Sequence, residues 1–182
     1  MRKWMVVLLL LVSALLVAPT VEATGLGVGA FGGVSIPIVQ KDAAQGIVAG
    51  AHVRLSLIGM LGVEPNFTYM KDGDWKVDDL PGVTFKGSKV SAYGVNLILG
   101  GAGPFAGVRF FPFIGGKIYN LKKPELNSDS QIGWNLGVGL EFGIGNLGIE
   151  ARAAGELMKL KPKGSRKWAH ITAGLNYYFG AL

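Results

Sequence analysis

Residues 132–142 read Ile132-Gly133-Trp134-Asn135-Leu136-Gly137-Val138-Gly139-Leu140-Glu141-Phe142. Every second residue is apolar, and glycine, Asn135 and Glu141 fill the positions between them. Successive Cβ atoms of an extended chain point to opposite sides, so this stretch has one greasy face and one polar face. Its length matches the roughly 9–11 residues a tilted strand needs to cross a bilayer.

The period continues downstream. Leu147, Ile149, Ala151, Ala153, Gly155 and Leu157 oppose Gly148, Glu150, Arg152 and Glu156; Ala169, Ile171, Ala173, Leu175, Tyr177 and Phe179 oppose His170, Thr172, Gly174 and Asn176. Upstream copies extend the series to eight segments: Leu26 to Ile38, Ile47 to Leu57, Leu61 to Met70, Lys89 to Leu99, Gly107 to Ile118, Ile132 to Phe142, Leu147 to Met158 and Trp168 to Phe179. The first, third, fifth and seventh breaks (Val39 to Gly46, Lys71 to Ser88, Tyr119 to Gln131, Lys159 to Lys167) are long and polar; those between are short. An even number of strands joined alternately by long loops and short turns predicts an all-β fold, an eight-stranded antiparallel up-and-down transmembrane β-barrel over residues 24–182. The N-terminus then lies on the short-turn side.

Residues 1–23 read as a signal peptide. Arg2 and Lys3 precede an apolar run from Trp4 to Ala18, and Val21-Glu22-Ala23 is a small-x-small cleavage site. The run is shorter than the ~20 residues a membrane helix needs. The absence of cysteine excludes a disulfide scaffold, thiolate metal sites, a Cys nucleophile and an acylated lipoprotein N-terminus. Twenty-nine glycines suit the bends and close strand approaches of a small barrel.

Two observations orient the wall. The apolar parity is free of charge across the middle of all eight strands, whereas the other parity holds glycines, Phe31, Phe111, Phe113 and eight charges. A water-facing surface carries more Lys and Glu than that. Tyr69, Tyr93 and Trp134 sit on the apolar parity near the loop ends, and Phe110, Tyr177 and Phe179 near the turn ends. Two such aromatic belts mark the interfaces of a membrane barrel. The alternative is a soluble periplasmic lipocalin-like carrier, with the apolar parity turned inward.

With these segments and the ending Leu175-Asn176-Tyr177-Tyr178-Phe179, the chain resembles the small outer-membrane β-barrels of the OmpA transmembrane-domain and OmpX type. The resemblance covers essentially the whole chain after the signal. It implies export to the outer membrane of a diderm bacterium. It also implies recognition of Leu175, Tyr177 and Phe179 by the barrel-assembly machinery, although Gly180-Ala181-Leu182 follow the aromatic. Tethering through a peptidoglycan-binding domain, as in full-length OmpA-like proteins, is not implied.

The inward charges are Arg54, Arg109, Lys117 and Arg152 against Glu64, Glu141, Glu150 and Glu156, a neutral set. Neutrality matters because an unpaired charge in a narrow lumen carries a large desolvation cost. An eight-stranded interior is filled by side chains, so these residues are expected to form a polar plug, with Glu141, Glu150, Arg152 and Glu156 in one network. His52 and His170 share the inward parity; two histidines without cysteine make no closed zinc site, and no metal or cofactor is expected. His170-x-Thr172 resembles the His-x-Ser pair of the lipid A deacylase family, which gives a lipid-modifying enzyme as an alternative. Gly27 to Gly32 and Gly143 to Gly148 match G-x-G-x-x-G but run into strands, where the dinucleotide motif needs a helix.

The formal charge of +6 becomes +5 once Arg2, Lys3 and Glu22 are removed. The lumen and the first three long loops each balance; the excess is Lys159, Lys161, Lys163, Arg166 and Lys167. Such a cluster at the outer rim lies level with lipopolysaccharide phosphates. Nucleic acid is excluded by compartment and by the lack of an aromatic-interleaved basic groove. The sequence thus predicts a monomeric, non-catalytic outer-membrane barrel with a charge-balanced lumen. It would serve envelope structure or surface interaction, with a basic loop contacting lipopolysaccharide.

Overall fold

The structure, a computed structural model, describes residues 25–38, 44–58, 60–76, 84–85, 87–100, 103–123, 126–160 and 164–179. The expected signal peptide and two of the basic-loop lysines, Lys161 and Lys163, lie outside the described residues. Ten strands follow in order: β1 (Leu26–Pro37), β2 (Gly46–Ile58), β3 (Leu61–Lys71), β4 (Trp75–Lys76), β5 (Thr84–Phe85), β6 (Lys89–Leu99), β7 (Phe105–Lys123), β8 (Leu126–Gly145), β9 (Leu147–Lys159) and β10 (Ser165–Phe179). Eight of them close into an antiparallel barrel in the order β1-β10-β9-β8-β7-β6-β3-β2, with β2 returning to β1. The seam joins the first strand to the last, from Leu26 opposite Phe179 to Pro37 opposite Trp168. The other pair, β4 and β5, is a two-residue hairpin within the second long loop.

The alternation of burial follows the alternation of sequence. Along β9, Glu150, Arg152, Glu156 and Met158 are buried, while Ile149, Ala151 and Ala153 are exposed. Val108, Leu136, Ile144 and Leu175 are among the most exposed large apolar side chains, whereas Arg54, Glu64 and Glu141 are at most 1% exposed. A water-soluble carrier barrel needs the reverse arrangement. Closure leaves every membrane-crossing strand with a partner on both sides, which a bilayer without water demands of the backbone.

The fifth break differs from expectation. Tyr119 to Gln131 was expected to be an irregular loop, but β7 runs on to Lys123 and β8 starts at Leu126, with Tyr119 opposite Gln131 and Asn120 opposite Ser130. Here the inward positions Tyr119 and Leu121 are buried and the outward Asn120 and Ser130 are polar. Beyond the membrane the outside of the wall faces water, so the sense of the alternation inverts although the strand does not stop. The sixth break also shortens to a tight turn, Gly145-Asn146, in which Gly145 adopts φ +62°, a conformation that costs glycine nothing.

Candidate functional site in the barrel interior and at its outer rim

Inward side chains from all eight barrel strands meet in the lumen, stacked in layers from the turn side to the loop side. The turn-side layer is ionic. Arg54 on β2 donates through Nε and Nη2 to Glu64 Oε2 (3.0 and 2.8 Å), through Nη2 to Glu150 Oε2 (2.9 Å), and through Nη1 to Glu141 Oε2 (3.0 Å) and Tyr178 Oη (2.7 Å). Arg152 on β9 forks onto Glu64 Oε1 and Oε2 at 2.7 Å each and reaches Glu150 through Nε at 2.8 Å. Arg109 joins at the turn-side end, donating to Glu141 Oε2 and Tyr178 Oη at 2.7 Å. Three guanidiniums thus face three carboxylates; Asn176 and Tyr178 donate to Glu141 Oε1, the one oxygen the guanidiniums leave, while Asn96 and Asn176 add further bonds to Glu64 Oε1 and Glu150 Oε2. Burial of so many charges is tolerable only because each carboxylate is both neutralised and hydrogen-bonded. The guanidiniums also lie against rings: Arg54 is 4.9 Å from the Phe111 centroid, and Arg109 is 4.2 Å from that of Phe105.

Glu156 does not join this network, contrary to expectation. It sits six residues from Glu150 along β9, about 15 Å higher at ~3.4 Å per residue and a ~40° tilt. It is bonded by Lys117 Nζ and by Tyr119 Oη at 2.8 Å, with His170 Nδ1 3.6 Å away. Lys117 also donates to Thr68 Oγ1 at 3.2 Å. Among the described residues no hydrogen bond links this second cluster to the first. His52 belongs to the turn-side layer, with Nε2 2.8 Å from Asn176 Oδ1. The lumen carboxylates are all engaged by cations, and among the described residues no group of His, Asp or Glu is disposed around a metal.

Above Glu156 the interior turns apolar, a second departure from the expected polar plug. Val48, Met70, Val90, Ala92, Tyr119, Leu121, Met158 and Trp168 form a buried cluster, with Tyr119 and Trp168 stacked at 6.4 Å. Trp168 Nε1 donates to Asp72 Oδ1 at 3.2 Å; Ser88 Oγ also donates to Asp72, and Arg166 Nη1 donates to Ser88 Oγ at 2.9 Å. Asp72, read in the sequence as a loop residue, is therefore buried in the mouth. Asn96, Asn135, Asn176, Tyr119, Tyr178, Asp72 and Trp168 were not singled out from the sequence. Most share the inward parity of the charges, which was the signal available.

Residues 5–179 match the family model described as the outer membrane protein beta-barrel domain. The chain belongs to that family.

Among solved structures, this outer-membrane barrel is similar to Neisserial surface protein A (NspA), with a TM-score of 0.62 and 15% identity over 85% of this chain and 97% of that one. It is also similar to the N-terminal β-barrel domain of Pseudomonas aeruginosa OprF, with a TM-score of 0.55 and 16% identity over 86% and 98%. No curated protein matches it. The outer membrane is where members of the family reside, and the exposed apolar wall is the surface that faces lipid.

On that wall Tyr93 and Trp134 are exposed toward the loop ends, with Tyr69 half-buried beside them; Phe110, Tyr177 and Phe179 are exposed toward the turn ends. Phe67, 5.0 Å from the Tyr93 ring, and Phe142 add to the outward aromatics beyond the six expected in the belts. Placing a charge between the belts, as in Leu140→Arg, is expected to destabilise the outer-membrane barrel by about 2–4 kcal/mol, read as a lowered urea midpoint in lipid vesicles. An unchanged midpoint would mean that Leu140 does not face lipid.

The basic segment is not a uniform loop. Lys159 ends β9 and is exposed, and Lys167 is exposed within β10. Arg166, also in β10, turns inward to Ser88 and lies 3.8 Å from Asp72.

Proposed function

We propose that this protein is a monomeric, non-catalytic outer-membrane barrel with a plugged, charge-balanced lumen. It serves envelope structure or surface interaction, and its basic outer segment contacts lipopolysaccharide phosphates. Residues 1–23 direct export and are removed, and the barrel-assembly machinery inserts the barrel. The observation that carries the plug is the interlocked lumen: between the two charge clusters the free space is about 30 Å³, on the order of a water or two. A solute path would need several ion pairs to open together.

A lipid-modifying activity is the poorer reading. His170 and Thr172 are both buried inside the barrel, and His170 faces Glu156. An acyl ester in the surrounding membrane meets the outside of the wall, not these groups. Incubation of the folded protein with radiolabelled lipid A tests this directly; deacylation that disappears in His170→Ala would overturn the non-catalytic reading.

For the basic segment, Lys159, Lys161, Lys163 and Lys167 are replaced by serine, leaving Arg166 in its mouth contacts. Each lysine near an anionic surface contributes about 1 kcal/mol, so lipopolysaccharide retained through purification should fall about tenfold or more. Unchanged retention removes the segment from the proposed function.

A further inference from the structure

Midway along β2 and β3 the barrel wall has a break. Their ladder pairs His52 with Asn66 and then Leu55 with Val63, omitting the two positions between, whereas the ladders on either side, β1 with β2 and β3 with β6, run past this level without a gap. Proline is the cause. Ser56 N–H donates to the Gly25 carbonyl on the β1 side at 2.9 Å. Main-chain groups alternate sides along an antiparallel strand, so Arg54 also turns to β1 and Val53 turns to β3. Opposite Val53 stands Pro65, which has no N–H, so the Val53 carbonyl has no ladder donor. A bilayer offers no water to make up the loss, and the seam is weakened there. On the inner side, side chains hold it instead. Arg54 and Glu64, the pair omitted from the ladder, are joined by Nε and Nη2 donating to Oε2 at 3.0 and 2.8 Å.

The break separates two spaces. Outside, a groove of about 840 Å³ crosses the lipid-facing wall from β1 to β8, with Val53, Pro65 and Phe67 in its lining. Inside lies the cavity of about 30 Å³ between the two charge clusters. Asn66, the next residue of β3, lines both, so a single layer of chain divides them. Asn66 Nδ2 is committed to the Glu64 carbonyl at 3.1 Å and Asn135 Nδ2 to Asn96 Oδ1 at 2.8 Å, while Asn66 Oδ1 and Asn135 Oδ1 are buried without a partner. Two lone acceptors beside one cavity call for a donor. The charges that line the cavity are already paired, Arg152 with Glu64 and Lys117 with Glu156, so a fitting donor is uncharged.

We propose that the break at Pro65 is a lateral gate. The β2–β3 seam parts there, and the hydroxyl of a lipophilic alcohol dissolved in the membrane reaches Asn66 and Asn135 while its apolar chain stays in the groove. The cavity admits a group of that size and little more. The gate rests on the plugged lumen, because a lumen open from its ends needs no side entrance.

The test titrates the folded protein in lipid nanodiscs with 1-decanol and with its methyl ether, which lacks the donor, and follows the side-chain amides of Asn66 and Asn135 by NMR. The alcohol should shift both saturably, and the ether several-fold less. In the same samples the backbone amides of Val53, Leu55 and Val63, which flank the break, should exchange with solvent about tenfold faster than those of Ala30 and Leu175 on the β1–β10 seam. Pro65→Val, with Pro65→Ala as a second variant, supplies the missing N–H. Both should fold, as heat-modifiable gel mobility checks, slow that exchange to the level of the β1–β10 seam, and lose the response to the alcohol. Absent shifts, equal shifts for alcohol and ether, shifts that survive repair of the ladder, or exchange at the break no faster than at the β1–β10 seam would each overturn the proposal. Glycerol, which stays in water, should leave Asn66 and Asn135 unmoved. A shift with glycerol means that the lumen is open from its ends, so that the plug has failed and the gate with it.

Discussion

Arg54→Met is expected to cost the barrel about 3–5 kcal/mol of unfolding free energy, the usual penalty for removing one partner of a buried ion pair. Arg54 is 1% exposed and makes five hydrogen bonds, to Glu64, Glu141, Glu150 and Tyr178. Without it, three carboxylates share two guanidiniums, and one negative charge is left in a lumen with little space for water. The effect is read as a lowered urea midpoint for the protein refolded in vesicles. Arg109→Met is the internal comparison: the Arg109 side chain is 12% exposed, and its partner Glu141 remains held by Arg54, Asn176 and Tyr178, so the loss should be clearly smaller. Equal effects from the two substitutions would mean that the lumen is hydrated enough to solvate the carboxylates without Arg54.

Gly33→Val is expected to prevent closure altogether. Gly33 pairs with Thr172 across the β1–β10 seam, and a Cβ there would collide with the carbonyl of Ile171 and stand 2.7 Å from Thr172 Cα. Those atoms are backbone and can retreat only by breaking the ladder that closes the barrel. The protein should migrate on an unboiled gel as it does after boiling. Gly32→Val, one residue away, points to the lipid side, where a Cβ finds nothing nearer than the Val48 carbonyl at 3.9 Å, and it should fold like the wild-type chain. Normal mobility of Gly33→Val would show that the seam does not need this close approach.

The strand count, the closed antiparallel topology and the sense of the wall were legible in the sequence because period two is the direct imprint of a surface with two different solvents. Leu136 and Glu141 already say which way their strand faces. The alternation says nothing about height. The separation of Glu156 from Glu150 follows from the ladder that puts Glu141 opposite Glu150 and Asn135 opposite Glu156. The outer part of the β7–β8 hairpin was misread because polarity along Asn120 and Ser130 reports water outside the wall as faithfully as Leu136 reports lipid. Asp72 was counted against Lys71 because a charge ledger has no direction. Its burial depends on Trp168 and Arg166 arriving from the far end of the chain.

The two long strands end unequally. β8 is paired with β7 out to Leu126, but its ladder with β9 begins only at Gly133. From Leu126 to Ile132, among the described residues, the β9 side of this strand has no neighbour, so a fold that abolishes free edges within the membrane regains one beyond it. Such a margin is where an extended peptide from another protein can add itself by main-chain hydrogen bonds alone. The stretch Asn127-Ser128-Asp129-Ser130, small, polar and carrying a charge, is the composition that discourages two copies of the barrel from zipping together there.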